Sequence, residues 1–341
     1  MGSFRKPSRG VALGAFVALA LLVAIPGCGG SDGSDTTAAA RQQAAELHRE
    51  EKILALKRRL QIERAKRAVQ EAQAQMKAEE SKPSAVPPAS GGSLSGFDQL
   101  AASLPGEVGV AIGPPGSGPA AVAGGLTTGS AWSTSKVPVA MRVLAEAGGP
   151  AGLSSAQAEQ VRRALTLSDN EAALALFGDL EAAHGGPQGA AAAVDEVLAE
   201  AGDTTTRVSS EGRDGFTPFG QTEWSVALQE QFMSALAAGC VGSPQSSEYV
   251  LGLMGEVSSD TWGLGSAGLP ARWKGGWGTG VDGRYLARQM GVLSVGGEEA
   301  AVALAVLPSD GSFETAQTMA TSVAAWLAEQ APEFAGPVQG C

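Results

Sequence analysis

Ser133-Thr134-Ser135-Lys136-Val137-Pro138-Val139-Ala140 is the stretch on which the reading of this chain turns. A serine and a lysine stand three residues apart, just after a turn-like Thr127-Thr128-Gly129-Ser130 and at the head of a helix-compatible run that reaches Gly148. On a helix, residues i and i+3 share a face, so the Ser133 hydroxyl and the Lys136 amine can meet. A serine hydroxyl is a weak nucleophile. A lysine whose pKa is pulled down by burial is one of the few side chains other than histidine that can take its proton. The plainer reading of the same residues is a helix opened by a serine N-cap. Histidine offers little: of His48 and His184, only His184 falls after residue 93, and the loop signal Gly185-Gly186-Pro187 follows it.

Before residue 93 the chain has a different character. Arg5, Lys6 and Arg9 precede an apolar run, 11–25, that closes on Pro26-Gly27-Cys28. That run is short for a membrane span, which needs about 20 residues. A basic start, an apolar middle and a small-residue end read as an export signal, residues 1–27. Cys28, straight after Gly27, resembles the lipid-bearing cysteine of bacterial lipoproteins; the alternatives are plain secretion with an incidental cysteine, or an uncleaved anchor. Residues 28–36 are a tether. Residues 37–82 hold no Gly or Pro, and their Ala, Gln, Glu, Lys and Arg favour helix. Leu47, Ile53, Leu54, Leu56, Leu60 and Ile62 form a short apolar stripe. The expectation is a helical stalk of ~65 Å, weakly self-associating as a coiled coil. Residues 83–93, with Pro87-Pro88 and Gly91-Gly92, are a flexible linker.

Charge divides at the same boundary. Residues 1–92 hold 14 of the 24 basic and 9 of the 35 acidic side chains; residues 93–341 hold 10 and 26. So acidic a domain argues against nucleic-acid or anionic-membrane binding. No cysteines or histidines are spaced as metal ligands, and no cofactor is implied. With Cys28 lipidated, Cys240 and Cys341 remain: a disulfide tying the last residue to the domain in an oxidising compartment, or two unrelated thiols.

Residues 94–341 are enough for a substantial core. A short helix is expected at 96–104, strands at 106–112 and 120–124, then a long alanine-rich helical middle from 133 to about 202. Helices at 221–238 and 247–254 follow, then strands at 271–277, 285–295 and 300–307 and a last amphipathic helix at 313–330. Two early strands and three late ones, with helices between, predict an α+β domain: an antiparallel sheet built from both chain ends, beside an all-helical lobe.

Two further motifs accompany the first. Ser168-Asp169-Asn170 lies between helices of the lobe, and Lys274-Gly275-Gly276 lies on a late strand. Lys136 and Lys274 are the only lysines after residue 93. Taken together, Ser133-x-x-Lys136, Ser168-Asp169-Asn170 and Lys274-Gly275-Gly276 resemble the Ser-x-x-Lys, Ser-Asp-Asn and Lys-Thr-Gly set of class A β-lactamases and penicillin-binding proteins. The resemblance covers most of 94–335 and none of the stalk. It implies a β-lactamase/transpeptidase-like fold and an acyl-enzyme on Ser133, formed with β-lactams or D-Ala-D-Ala-type cell-wall peptides. Lys136 would take the Ser133 proton, and Ser168 would pass a proton to the leaving nitrogen between Lys136 and Lys274. Asn170, Trp277 and Thr279 would bind substrate, the backbone N–H groups of Ser133 and Trp277 forming an oxyanion hole. The plainer readings are a capping box at Ser168-Asp169-Asn170-Glu171 and a solvated strand lysine at Lys274.

Two positions depart from the family pattern. Gly275 stands where the third motif carries a hydroxyl, leaving Thr279 as the nearest substitute. The glutamate with which class A β-lactamases activate water has no counterpart before Thr217-Pro218; Asp203 and Glu211 only bracket the place. Slow turnover follows from that reading, or a catalytically weak or inactive envelope binding module with the same fold. The expected setting is extracytoplasmic, on the cell membrane through a lipoprotein anchor.

Overall fold

The chain divides into two units, Met1–Ser84 and Ala85–Cys341. The computed structural model describes residues 94–213 and 215–340, all in the second unit. The expected signal 1–27, Cys28, tether 28–36, stalk 37–82, linker 83–93 and Cys341 lie outside the described residues.

The domain is a five-stranded sheet with helices on both faces. Helix α1 (Phe97–Ser103) leads into β1 (Gly106–Gly113) and β2 (Ala121–Gly124), and the late strands are β5 (Ala271–Thr279), β6 (Tyr285–Val295) and β7 (Glu298–Pro308). Their order is β2-β1-β7-β6-β5, antiparallel throughout, with β1 register-paired to β7 from Gly106↔Pro308 to Gly113↔Ala301. The two chain ends do build one sheet, as the α+β reading requires.

Alternation along the strands sorts side chains by size. Val110, Ile112, Val302, Leu304 and Val306 face the terminal helix α8 (Phe313–Phe334) with its Met319, Val323 and Leu327. Ala111, Ala301, Ala303 and Ala305 face the other way, into the core of the helical lobe. Period-two alternation explains the division, and the small residues let helix α6 (Val226–Ala237) lie close on the sheet.

The alanine-rich middle resolves into α2 (Lys136–Glu146), α3 (Ser155–Thr166), α4 (Asn170–His184) and α5 (Pro187–Glu200). Ser154 opens α3 with a capping box to Gln157, and Gly185 at φ 76° closes α4, a conformation glycine takes without strain. Helix α7 (Pro244–Met254) starts earlier than expected because Ser243 caps it, its hydroxyl accepting from Ser246 N at 3.1 Å.

One helix prediction gives way at its start. Residues 221–225 are not helical: a 3-10 turn Phe219–Gln221 precedes strand β4 (Glu223–Ser225), which pairs with β3 (Thr128–Ser130), residues expected as a turn. A buried arginine supplies the reason. Arg288, fully buried on β6, donates to the carbonyls of Gly129 (2.5 Å), Ser130 (3.2 Å) and Trp224 (2.9 Å), tying both short strands to the main sheet. Its Nε donates to Gln229 Oε1 at 2.9 Å. Burial lowers its pKa to about 10, so it stays cationic at neutral pH.

Cys240 is disulfide-bonded, and its partner lies outside the described residues. The tail reaches the same neighbourhood: Gln339 N donates to Pro115 O at 3.4 Å, and Gly116 and Cys240 line one shallow pocket.

Replacing Arg288 by methionine would leave buried carbonyls and one amide oxygen without donors. The expected loss is about 3 kcal/mol, read as a fall of roughly 10 °C in Tm. A variant melting within 2 °C of the parent would show that Arg288 does not hold β3 and β4, a threshold of about half a kcal/mol.

Candidate active site

A tight turn presents Ser133. Residues Trp132–Ser135 form a 3-10 turn that runs directly into α2, so Ser133 precedes the α-helix and does not cap it. Its neighbours are fixed by internal bonds. Thr134 Oγ1 donates to Ala131 O (2.5 Å) and accepts from Gln229 Nε2 (2.7 Å), and Ser135 Oγ donates to Trp132 O (2.6 Å). Gln229 is the residue held by Arg288, so a buried chain runs from β6 through α6 to the turn. Ser133 itself is half-buried, and its hydroxyl has no hydrogen-bond partner among the described residues.

Lys136 turns toward the second motif. Its amine donates to Ser168 O (2.5 Å) and Asn170 Oδ1 (2.7 Å), with Ser168 Oγ at 3.4 Å. The amine and the Ser133 hydroxyl share no hydrogen bond, contrary to the simplest expectation from their spacing. From β5, Lys274 Nζ donates to Ser168 Oγ at 2.9 Å and to Gly275 O at 2.7 Å. One serine hydroxyl thus sits between two lysine amines. Asp169, not Ser168, caps α4: it accepts from Ala172 N at 3.0 Å and pairs with Arg163, which leaves the Ser168 hydroxyl to the lysines.

The two lysines are 1 % and 2 % exposed, so water solvates neither amine. Burial lowers Lys136 to about 7, against a smaller upward pull from Asp169. Burial also drives Lys274 well below its ordinary value, and the neighbouring Lys136 charge pushes it further down. The reading of Lys274 as a solvated strand lysine is therefore corrected. The two amines together cannot easily hold two charges at neutral pH.

Among the described residues strand β5 is one open edge of the sheet, β2 being the other. Gly280 N donates to Arg284 O across the β5–β6 turn, so even-numbered residues bond β6 and odd-numbered ones face the open edge. On that edge Gly275 O takes the Lys274 amine, and Thr279 O accepts from Arg213. The Trp277 N–H and C=O lie between them. Gly276 and Gly278 explain the glycine-rich sequence: a Cβ at Gly276 would lie 2.8 Å from both Ala131 O and Ser133 N, and one at Gly278 would lie 2.8 Å from the Trp132 ring. The strand packs backbone-to-backbone on the turn that holds Ser133. Gly275 has a packing reason too, since a Cβ there would meet the edges of the Trp273 and Trp277 rings at 3.3 and 3.5 Å.

Among the described residues three that are not glycine take positive φ: Trp132 (49°), Ser168 (55°) and Asp260 (53°). Trp132 precedes Ser133, and Ser168 and Asp260 line one small cavity with Lys274. Such conformations cost of order 1–3 kcal/mol each and cluster where function demands them.

The remaining candidates lie apart from this chemistry. Asp203 is buried, accepting from Thr205 N, Thr206 N and Trp224 Nε1 at 3.1, 2.9 and 3.1 Å; it staples the loop. Glu211 is exposed, and its backbone bonds Ser209. His184 bonds Glu146 at the far end of α2 from Lys136. Among the described residues no cluster of His, Cys, Asp and Glu is placed to hold a metal. Asp260 and the Arg288–Gln229–Thr134 chain carry no local motif, and only tertiary packing reveals them.

Neither protein-family models nor curated proteins match the sequence. Solved structures do. An ancestral class A β-lactamase superimposes with a TM-score of 0.53 at 23% identity, covering 70% of this chain and 99% of its own. The fold is β-lactamase-like. The class A β-lactamase of the last common ancestor of Gram-negative bacteria matches at TM-score 0.51 and 23% identity, over 69% and 98% of the two chains. A β-lactamase from Streptosporangium roseum matches at 0.52 and 17%, over 68% and 96%. At these identities the likeness is one of fold, and the chemistry of this β-lactamase-like domain is argued from its own side chains.

Burying Lys274 works against stability. Lys274→Met is expected to raise the unfolding free energy at pH 7 by about 1 kcal/mol, in the range of other functionally costly stabilising changes. The unfolded chain binds more protons than the native one below the ordinary lysine value of 10.5, so native stability rises with pH. The gain should therefore shrink as pH approaches 10.5 in denaturant titrations. A destabilised variant would show that the amine's two hydrogen bonds outweigh its burial.

Proposed function

We propose that this protein is an exported, membrane-tethered serine hydrolase that forms an acyl-enzyme on Ser133 with β-lactams or D-Ala-D-Ala-type cell-wall peptides. The observation that carries the reading is the convergence of the Lys136 and Lys274 amines on the Ser168 hydroxyl, beside an unengaged Ser133. In this reading Ser133 Oγ attacks the substrate carbonyl carbon as its proton passes to the neutral Lys136 amine. The carbonyl oxygen gathers charge against the N–H groups of Ser133 and Trp277, and one such donor is worth ~3 kcal/mol of barrier. The C–N bond then breaks, and the leaving nitrogen takes the Ser168 proton, which a lysine ammonium replaces. Asn170 holds the substrate amide, and Thr279 lies further along the same edge.

Deacylation has less to support it. Asp203 is occupied in the loop and Glu211 faces solvent, so neither is offered as a water-activating base. That favours a long-lived acyl-enzyme over fast lactam hydrolysis, and gives weight to a second reading, a binding module that captures such ligands with little turnover.

For location, the proposal follows the sequence: an export signal at 1–27, lipid on Cys28, a stalk at 37–82 and a linker at 83–93. Among the described residues no helix is long and apolar enough to cross a membrane. Cys341 is proposed as the partner of Cys240, since the tail reaches Gln339 beside the loop next to that cysteine.

Incubation with a penicillin should add one ligand mass to Ser133, absent in Ser133→Ala; no adduct at millimolar ligand over hours would overturn the reading. Adduct lifetimes of hours are expected; lifetimes of seconds would mean that a deacylating group exists elsewhere. A second check is pH. Lys136 must be neutral to act as base, so the acylation rate should rise with pH through about 7 and then level. A rate that falls over that interval would exclude Lys136 as the base.

A further inference from the structure

Eight arginines belong to the domain, and most have a carboxylate partner. Arg142, Arg162, Arg163, Arg207, Arg272 and Arg284 each pair with Asp or Glu. Arg288 is sealed in the core and satisfied by carbonyl and amide oxygens. Arg213 differs from both groups. It is half-buried, lies on the loop before Thr217-Pro218, and has no carboxylate partner among the described residues of a strongly acidic domain.

Its position is fixed from four sides. The guanidinium carbon lies 3.9 Å from the Phe216 ring centroid and 5.5 Å from that of Trp132. Nε donates to Gln221 Oε1 at 2.9 Å, and Nη2 donates to Thr279 O on the open edge of β5. Among the described residues Nη1 has no acceptor. A planar cation already stacked and bonded loses little entropy when it takes a carboxylate.

Direction along β5 says which part of a ligand would meet it. The edge runs from Lys274, which holds Ser168, past Gly276 against Ser133 N, to Thr279 under Arg213. In the acyl-enzyme reading, on which this inference rests, the leaving nitrogen lies toward Ser168 and Lys274. The acyl portion therefore lies toward Thr279. From Gly276 to Thr279 is three residues, on the order of 10 Å along a strand.

We infer that Arg213 is a specificity residue for an acyl donor bearing a free carboxylate on the order of 10 Å from the scissile carbonyl. The substrate class is then an acidic peptide whose carboxylate precedes the bond attacked, or a lactam with an anionic acyl arm. A carboxylate on the leaving-group side would remain with the Lys274 end.

Matched probes test this. Adipoyl and hexanoyl amides of 6-aminopenicillanic acid have equal chain length and differ by one terminal carboxylate. With the full chain, the Ser133 adduct should form at least tenfold faster from the adipoyl probe, the advantage shrinking with added salt as ionic attraction is screened. Arg213→Gln should reduce the preference to within twofold while the hexanoyl rate holds, and Arg213→Lys should restore part of it. Equal rates for the two probes in the parent protein would overturn the inference while leaving Ser133 acylation intact. So would a preference that survives in Arg213→Gln, including the case where both probes slow together because the loop has loosened. No adduct from either probe would instead refute the acyl-enzyme reading, and this inference with it.

Discussion

A single hydroxyl shared by two buried amines organises this domain. Ser168 can meet Lys136 and Lys274 only if α2, the start of α4 and strand β5 converge at one point, and those elements come from residues far apart in the chain. The arrangement is costly. Both amines are out of water with no bonded carboxylate among the described residues, Ser168 holds a left-handed backbone, and the residue before Ser133 does the same. A fold selected for stability alone has little reason to keep these features. A site that uses a neutral amine at neutral pH has reason to keep them: burial lowers Lys136, and burial together with the Lys136 charge lowers Lys274.

The rest of the scaffold bears on that point. Small side chains on one face of β7 bring α6 onto the sheet, and α6 carries the Gln229 that reaches the Ser133 turn. Arg288 ties the turn's entering strand to β6. From the other side, β5 closes on the turn through Gly276 and Gly278, where any side chain would separate strand from serine. The glycines around Trp277 thus serve contact rather than flexibility. At Gly275 a Cβ would press on the Trp273 ring at 3.3 Å and touch the Trp277 ring at 3.5 Å.

Motif residues were legible in the sequence because the chemistry restricts their types. Serine and lysine at i and i+3, a second serine at a helix start and a lone lysine on a late strand could be marked before any fold was known. Geometry between them was not legible. The i,i+3 spacing pointed to a direct Ser133–Lys136 bond, whereas the Lys136 amine settles on Ser168 and Asn170, because those acceptors surround the buried end of the side chain. The β3–β4 pair was missed for a similar reason: three-residue strands have no periodicity of their own and exist through a distant guanidinium. Asp203 likewise bracketed a catalytic position in the sequence and is a structural staple in space.

By itself the sequence determined the types of the long elements, the contribution of both chain ends to one sheet, and the identities of the candidate reactive groups. Those follow from local periodicity, turn chemistry and the few side chains able to activate a serine. Tertiary structure alone decided which acceptors the amines take, how far burial shifts them, and which arginine has no carboxylate partner among the described residues. Desolvation and through-space contact depend on atoms distant in sequence, so no local pattern carries them.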